Sequence, residues 1–381
     1  MRNLTPLQKQ NLLEMYQEAI DLVAALLKER LSFQPFHQDA EKRWGWRHWQ
    51  GLAGSGILSC PSRYNSFCRR QDEIWSMNLP EAELEKRLTE LAKQALSGEP
   101  LKTSHQRAAK LIQSADALII AAGAGMGVDS GLPDFRGNQG FWQAYPALAQ
   151  ARLNFTEVAN PQAFIEHPRL AWGFYGHRLG LYRSTVPHRG FAILAQWAAV
   201  LPLGHWVFTS NVDGQFQKAG FSESNLHECH GSIHYLQCMN QCDAVWSAAQ
   251  FLPDVDAVSC QIRNDMPVCE RCGGLARPNI LMFEDRNWLD ARSDAQQQAQ
   301  QRWLAQLRRD TKLVLVEIGA GTAIGSVRDF SQCMSEQYGA RIIRINPREP
   351  EVANANDVSI ASGALVALEG IDAALKLLAK P

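Results

Sequence analysis

Four short apolar runs, at 117–121, 206–209, 313–318 and 341–345, limit the architectures open to this chain more than any other feature. The first opens with Ala117-Leu118-Ile119-Ile120, a continuous apolar stretch of the kind that needs cover on both faces of a sheet. Each run ends in a polar or glycine-rich segment, and amphipathic stretches lie between them. That alternation, from about Ser104 onward, predicts an α/β fold: a doubly wound, Rossmann-like parallel sheet with helices on both faces. In open sheets of this class ligands bind beyond the carboxyl ends of the strands. The segments after the four runs should therefore meet around one crevice.

The first of these segments is Gly123-Ala124-Gly125. Glycines at a strand's carboxyl end let the backbone turn sharply and approach a phosphate, and a helix starting there points its unpaired N–H groups at the anion. The spacing departs from G-x-G-x-x-G, because Gly127 and Gly131 precede Pro133-Asp134-Phe135-Arg136-Gly137, which cannot continue a regular helix. A loop carrying an acid, an aromatic ring and a guanidinium must follow. A glycine turn by itself is commonly plain punctuation. The whole string AGAGMGVDSGLPDFRG, however, closely resembles the signature of the sirtuins, the NAD-dependent protein lysine deacylases, which runs G-A-G-x-S-x-x-S-G-I-P-D-F-R. Gly127 stands where that pattern has Ser. The resemblance implies that Gly123, Ala124, Gly125, Asp134, Phe135 and Arg136 bind NAD as a co-substrate.

The second segment, Thr209-Ser210-Asn211-Val212-Asp213-Gly214, places an amide and a carboxylate two positions apart. On spacing alone it reads as an Asn/Asp turn or as a set of hydrogen-bonding groups for a nicotinamide nucleotide. It is similar to the sirtuin T-Q-N-I-D-G, which implies nicotinamide-pocket roles for Asn211 and Asp213, with Ser210 in place of Gln. His227, His230 and His234 follow, close enough together for metal binding or catalysis. The His230-Gly231 pair just before a cysteine cluster matches the sirtuin general base, so the resemblance assigns that role to His230 and none to His227 or His234. After the third and fourth runs, Gly319-Ala320-Gly321-Thr322 and Asn346 correspond to the sirtuin Gly-Thr-Ser and Asn that contact the adenosine side of NAD. The motif is stretched here, leaving the register between Gly319 and Gly321 open.

Cys238-x-x-x-Cys242 and Cys269-x-x-Cys272-Gly273-Gly274 offer four thiolates to a tetrahedral structural zinc, with the glycines allowing a tight knuckle. The first pair has one residue more than the commoner spacing, and Cys260 is the alternative ligand. The expected module covers about 236–276. Beyond it, 276–285 resembles the sirtuin stretch along which a substrate peptide lies as an added strand. The resemblance places Ile280 and Phe283 along the acyl-lysine tunnel, with Glu284 in the usual Gly position. Tyr175 and Arg178, three apart and on one face if helical, either belong to an ordinary amphipathic helix or read a carboxylate at the end of an acyl chain, as in sirtuins that remove succinyl groups.

The remaining features set bounds. With 381 residues, 46% hydrophobic, the chain accommodates a large domain and a smaller part. Residues 104–381 read as the catalytic domain. Residues 1–103 read as a helical extension of unassigned role, with helices at 6–31 and 80–96 and a segment mixing Trp44, Trp46, Trp49 and Trp75 with five arginines. Such mixing suits base stacking or, more plainly, packing of amphipathic aromatics. A formal net charge of −1 gives no sign of nucleic-acid or anionic-membrane partners. No run approaches membrane-spanning length, and nine cysteines without a secretory leader point to a reducing, cytoplasmic setting. Gln-rich 296–309 reads as a solvated helix. The expected activity is lysine deacylation of acylated proteins or peptides, yielding nicotinamide and O-acyl-ADP-ribose. The alternatives are NAD cleavage or mono-ADP-ribosylation without deacylation, and a non-catalytic NAD-sensing scaffold.

Overall fold

The computed structural model describes residues 101–134, 145, 148, 154–242 and 244–379. The helices expected at 6–31 and 80–96, the tryptophan-and-arginine segment, and Phe135 and Arg136 lie outside the described residues. Contacts divide the chain into two units, 1–104 with 360–362, and 105–359 with 363–381. Of the first, the described residues are the opening turn of one helix and the end of one strand with the two residues after it.

The helices used below are α1 (Leu101–Gln113), α2 (Pro161–Glu166), α3 (Pro168–Ser184), α4 (Arg189–Ala199), α5 (Ala291–Leu304), α6 (Ser326–Tyr338) and α7 (Ala364–Leu378). The strands are β1 (Ala117–Ala122), β2 (His205–Thr209), β3 (Leu226–Glu228), β4 (Gly231–Cys238), β5 (Val245–Ser247), β6 (Val255–Asp256), β7 (Gln261–Ile262), β8 (Ala276–Ile280), β9 (Leu313–Ile318), β10 (Arg341–Ile345) and β11 (Val358–Ile360). The four apolar runs become β1, β2, β9 and β10, each within one residue of the expected bounds.

Six strands form one sheet in the order β11-β10-β9-β1-β2-β3, and the β10–β9, β9–β1, β1–β2 and β2–β3 pairs are all parallel. Every residue of β1 and β9 is buried, as continuous apolar runs require. Ala117, Ile119 and Ala121 pack with Leu304 of α5 and Val327 and Met334 of α6. Alternation turns Leu118 and Ile120 to the opposite face, where α4 packs on β1 and on α7. From β1 the chain steps outward to β2 and β3, and it returns to the other side of β1 as β9. The strand order thus reverses between β1 and β9, the position at which open sheets of this class bind ligands beyond the strands' carboxyl ends.

Between β3 and β9 lies a second layer that the apolar runs do not announce. β4 pairs antiparallel with both β5 and β8, and β6 pairs antiparallel with β7. The small sheet extends past the expected 236–276 at both ends, from Gly231 to Ile280. It shares its core with α3: Trp172, Phe174 and Tyr175 pack with Ile233, Leu236, Cys260, Ile262 and Ile280. Trp172 Nε1 donates to Ala276 O at 2.9 Å, and a Cβ on Gly173 would lie 1.9 Å from Cys260 O. The glutamine-rich helix is α5, five residues earlier at each end than expected. Its last turn gives way to a Thr311 turn in which Thr311 Oγ1 accepts from Arg308 N at 2.9 Å. Among the described residues no helix is long and apolar enough to cross a membrane.

Candidate active site and metal centre

At the β1–β9 crevice the two glycine turns interlock. Gly123 N donates to Ile318 O and Gly125 N to Gly319 O, at 2.9 and 3.0 Å. A Cβ on Gly125 would lie 2.7 Å from Gly319 Cα, and one on Gly319 would lie 2.4 Å from Gly125 C and Met126 N. Gly319 also has φ +64, the left-handed region that favours glycine, so Gly319 rather than Gly321 is the residue the strand end requires. Ala124–Ser130 is a 3-10 turn, not the start of a regular helix, and it closes on Gly131 at φ +84. A Cβ on Gly127 would come within 3.1 Å of the Leu132 side chain, which gives a local reason for glycine where the sirtuin pattern has serine.

The segment after β2 is tied into this turn. Thr209 Oγ1 donates to Ala122 O at 2.9 Å and accepts from Asn211 N at 3.0 Å, and Asn211 Nδ2 donates to Gly123 O at 3.0 Å. Asp213 is buried, with Oδ1 accepting from Gln215 N at 2.9 Å. Burial pushes its carboxyl up to about 6; the Gln215 N–H opposes the rise, Glu228 adds to it and Arg178 lowers it.

His230 is held by its neighbours in the second layer. Its carbonyl accepts from Leu281 N at 2.9 Å, and a Cβ on Gly231 would lie 2.1 Å from Asn279 O, so the His-Gly pair lets β4 and β8 close beside the ring. Burial lowers the His230 imidazole below its ordinary value, against a smaller opposing effect of a backbone hydrogen bond with Ser210. Its Nε2 lies 3.0 Å from Ser326 Oγ. The other two histidines are placed structurally. His227 bridges Gln300 Oε1 and Ser293 Oγ at 3.1 and 3.2 Å, and His234 Nε2 meets Asp213 O at 3.0 Å.

On the far side, Asn346 is fully buried, donating from Nδ2 to Ala320 O at 2.7 Å and accepting on Oδ1 from Arg348 and Glu349 N–H groups. Glu349 in turn accepts from Thr322 N and Oγ1 at 3.1 and 2.8 Å, so Asn346 and the Gly319–Thr322 turn form one hydrogen-bonded unit.

Tyr175 and Arg178 do share a face of α3, with the guanidinium 5.6 Å from the tyrosine ring centroid. Tyr175 is buried in a stack with Phe164, and Arg178 donates from Nε and Nη2 to Tyr182 OH at 2.9 and 2.8 Å. Ile280 ends β8 opposite Gly231 and is buried. Phe283 N donates to Ala159 O at 2.9 Å, and residues Leu281–Arg286 line a concave patch. Glu284 retains the left-handed turn with φ +57, so replacing glycine there leaves the loop tightly turned. The patch is braced from below by a buried ion pair, Arg277 Nη2 to Asp285 Oδ2 at 2.7 Å.

The metal-ligand atoms of Cys238, Cys242, Cys269 and Cys272 all lie within 4.8 Å of one another, and Cys238 and Cys272 Sγ are 3.5 Å apart. N–H groups point at the sulfurs, Asn240 N to Cys238 at 3.3 Å and Gly274 N to Cys272 at 3.4 Å. These donors favour thiolates, and the set fits a closed tetrahedral zinc. Cys260 does not join it. That residue is buried in the α3 core with φ +52 and lies outside the group of four converging ligand atoms, so the alternative ligand is not used.

Comparison with known proteins places these features among relatives. The model of the Sir2 family matches residues 123–304. An NAD-dependent protein deacetylase of Halalkalibacterium halodurans is 30% identical over 241 residues, 62% of this chain and 86% of that protein. An NAD-dependent protein deacylase of Aquifex aeolicus is 27% identical over 254 residues, 67% of this chain and 93% of that protein. A Sir2 homologue crystallised with NAD has a TM-score of 0.55 at 24% identity, over 72% of this chain and 95% of that one, which is a likeness of fold.

Proposed function

The chain belongs to the Sir2 family, and from that membership and the geometry at the β1–β9 crevice we propose that it is an NAD-dependent protein lysine deacylase. The observation that carries the reading is the convergence of an amide (Asn211), a carboxylate (Asp213) and a half-buried imidazole whose pKa is lowered (His230) beside interlocked glycine turns. That donor set fits NAD, which supplies the ADP-ribosyl group that accepts the acyl chain, with nicotinamide as leaving group.

Asn211 and Asp213 bind and orient the nicotinamide end, Gly319–Thr322 and Asn346 the adenosine end, and Gly123–Gly125 let the two loops close on the pyrophosphate. Asp134 belongs to the NAD-covering loop on this reading, as do Phe135 and Arg136, which lie outside the described residues. After nicotinamide has left, His230 takes a proton from a ribose hydroxyl, which attacks the acyl carbon. Its lowered pKa keeps the ring neutral, and therefore basic, at neutral pH. An acylated-lysine peptide lies along the segment after β8, with the acyl chain against Ile280 and Phe283. Tyr175 and Arg178 are the proposed readers of an acyl carboxylate. Zinc on the four cysteines is structural, joining the β4 end to the 269–274 knuckle, and takes no part in the chemistry.

Mass spectrometry of products from NAD and an acetyl-lysine peptide tests the reading. O-acetyl-ADP-ribose is expected, lost by roughly 10²–10⁴-fold in His230→Ala. Bare or protein-linked ADP-ribose would mark NAD cleavage instead, and no turnover would leave only a binding role.

A further inference from the structure

Ser326 opens α6, 96 residues beyond His230 in the chain, and its Oγ lies 3.0 Å from His230 Nε2. Nothing about the helix itself calls for that hydroxyl: the N-cap position of α6 is Gly325, and no side chain caps the helix. Both partners are firmly placed. His230 is fixed through Leu281 and Gly231, while one turn into α6 the Phe330 ring stacks on Phe208 of β2, centroids 3.8 Å apart. The hydroxyl is therefore directed at the histidine by the packing of α6 on the sheet.

A neutral imidazole carries one N–H and one lone pair. In the tautomer that carries its N–H on the ring nitrogen away from Ser326, the lone pair lies at Nε2 and the Ser326 hydroxyl, 3.0 Å away, is its donor. A hydroxyl that gives its proton to Nε2 must either displace Ser326 Oγ from the ring or pass the proton through it. We propose that Ser326 is a proton relay between the substrate hydroxyl and His230. The substrate O–H bond breaks as its proton passes to Ser326 Oγ, and the proton already on Ser326 passes to Nε2. The serine ends as a hydroxyl, the histidine as an imidazolium, and the electron pair of the broken bond stays on the attacking oxygen. The relay rests on the deacylase reading, in which that hydroxyl belongs to the ribose.

Charged side chains on the surrounding elements are committed elsewhere or lie off this axis. Glu228 of β3 pairs with Arg292, Arg328 of α6 pairs with Glu317, Asp329 faces Gly325, and Asp213 accepts from Gln215. The test compares wild type, Ser326→Ala and Ser326→Thr in deacylation and in exchange of labelled nicotinamide into NAD, which precedes the base step. In Ser326→Ala, kcat for deacylation should fall about 10- to 100-fold, within the range of lost general-base help. Exchange and both KM values should stay within about twofold. The acid limb of kcat/KM should move to higher pH, because the neutral ring loses a donor. Ser326→Thr, which keeps the hydroxyl, should restore the rate. The relay is overturned if Ser326→Ala deacylates normally with an unmoved limb, if Ser326→Thr is as slow as Ser326→Ala, or if exchange falls in step with deacylation. Wild type lacking both reactions would instead overturn the deacylase reading.

Discussion

Asp285 is the most exacting place to test the energetics of the proposed peptide platform. Its side chain is 0% exposed and that of Arg277 is 1% exposed, and the two meet at 2.7 and 2.9 Å through both carboxylate oxygens. Asp285 also accepts from Asn287 N at 3.0 Å, while Arg277 Nη1 donates to Ile280 O at 3.1 Å. Replacing Asp285 with Ala leaves a guanidinium buried without its counter-charge, a change that costs about 3–5 kcal/mol. For a domain of this size each kcal/mol moves Tm by about 2–4 °C, so the variant should melt roughly 6–20 °C lower. The paired replacement Arg277→Met with Asp285→Leu removes both charges and should recover most of that loss, since a buried pair contributes little net stability over apolar residues of similar volume. Calorimetry and urea unfolding of the two singles and the double give the coupling directly. A loss below about 1 kcal/mol in Asp285→Ala, or a double variant as unstable as the summed singles, would refute the reasoning. Because Asp285 shapes the Leu281–Arg286 loop, the single variant should also raise KM for an acyl-lysine peptide more than KM for NAD.

Three further outcomes are expected. Cys242→Ser should release zinc and lower Tm, whereas Cys260→Ser should leave bound zinc unchanged by elemental analysis, because Cys260 sits in the α3 core. Burial raises Asp213 from 3.8 to about 6, so its contribution favours folding below pH 4 and is lost as pH rises through about 6. Asp213→Asn should therefore gain stability over wild type between pH 4 and pH 7, by at most roughly 3 kcal/mol, and parallel urea midpoints across that range would contradict the shift. Arg178→Ala should reduce removal of succinyl groups far more than acetyl groups if the guanidinium reads an acyl carboxylate. Equal losses would show that its bonds to Tyr182 serve the fold alone.

The same physics explains which parts were legible in the chain. The four apolar runs led directly to the central parallel strands, because burial on both faces leaves an unbroken apolar record. Four cysteines in two close pairs led to the metal centre, because ligand type and spacing reflect the chemistry of zinc. The proposed roles of Asn211, Asp213 and His230 came from family resemblance, since spacing alone left an ordinary turn open. The second layer was not legible. β5 and the β6–β7 hairpin are very short, and β4, though long, mixes polar and apolar residues whose placement makes sense only against β8 and α3.

By itself, then, the sequence determined the kind of sheet, the residue types that ring its carboxyl edge and the thiolate set. Tertiary structure alone decided that Gly319 meets Gly125, that Cys260 is core and not ligand, that His227 and His234 bond inside the fold, and that Ser326 reaches His230. Each of these depends on residues far apart in the chain being brought together by strand order and helix packing, as His230 and Ser326 are at 3.0 Å, and no local pattern in the chain encodes such contacts.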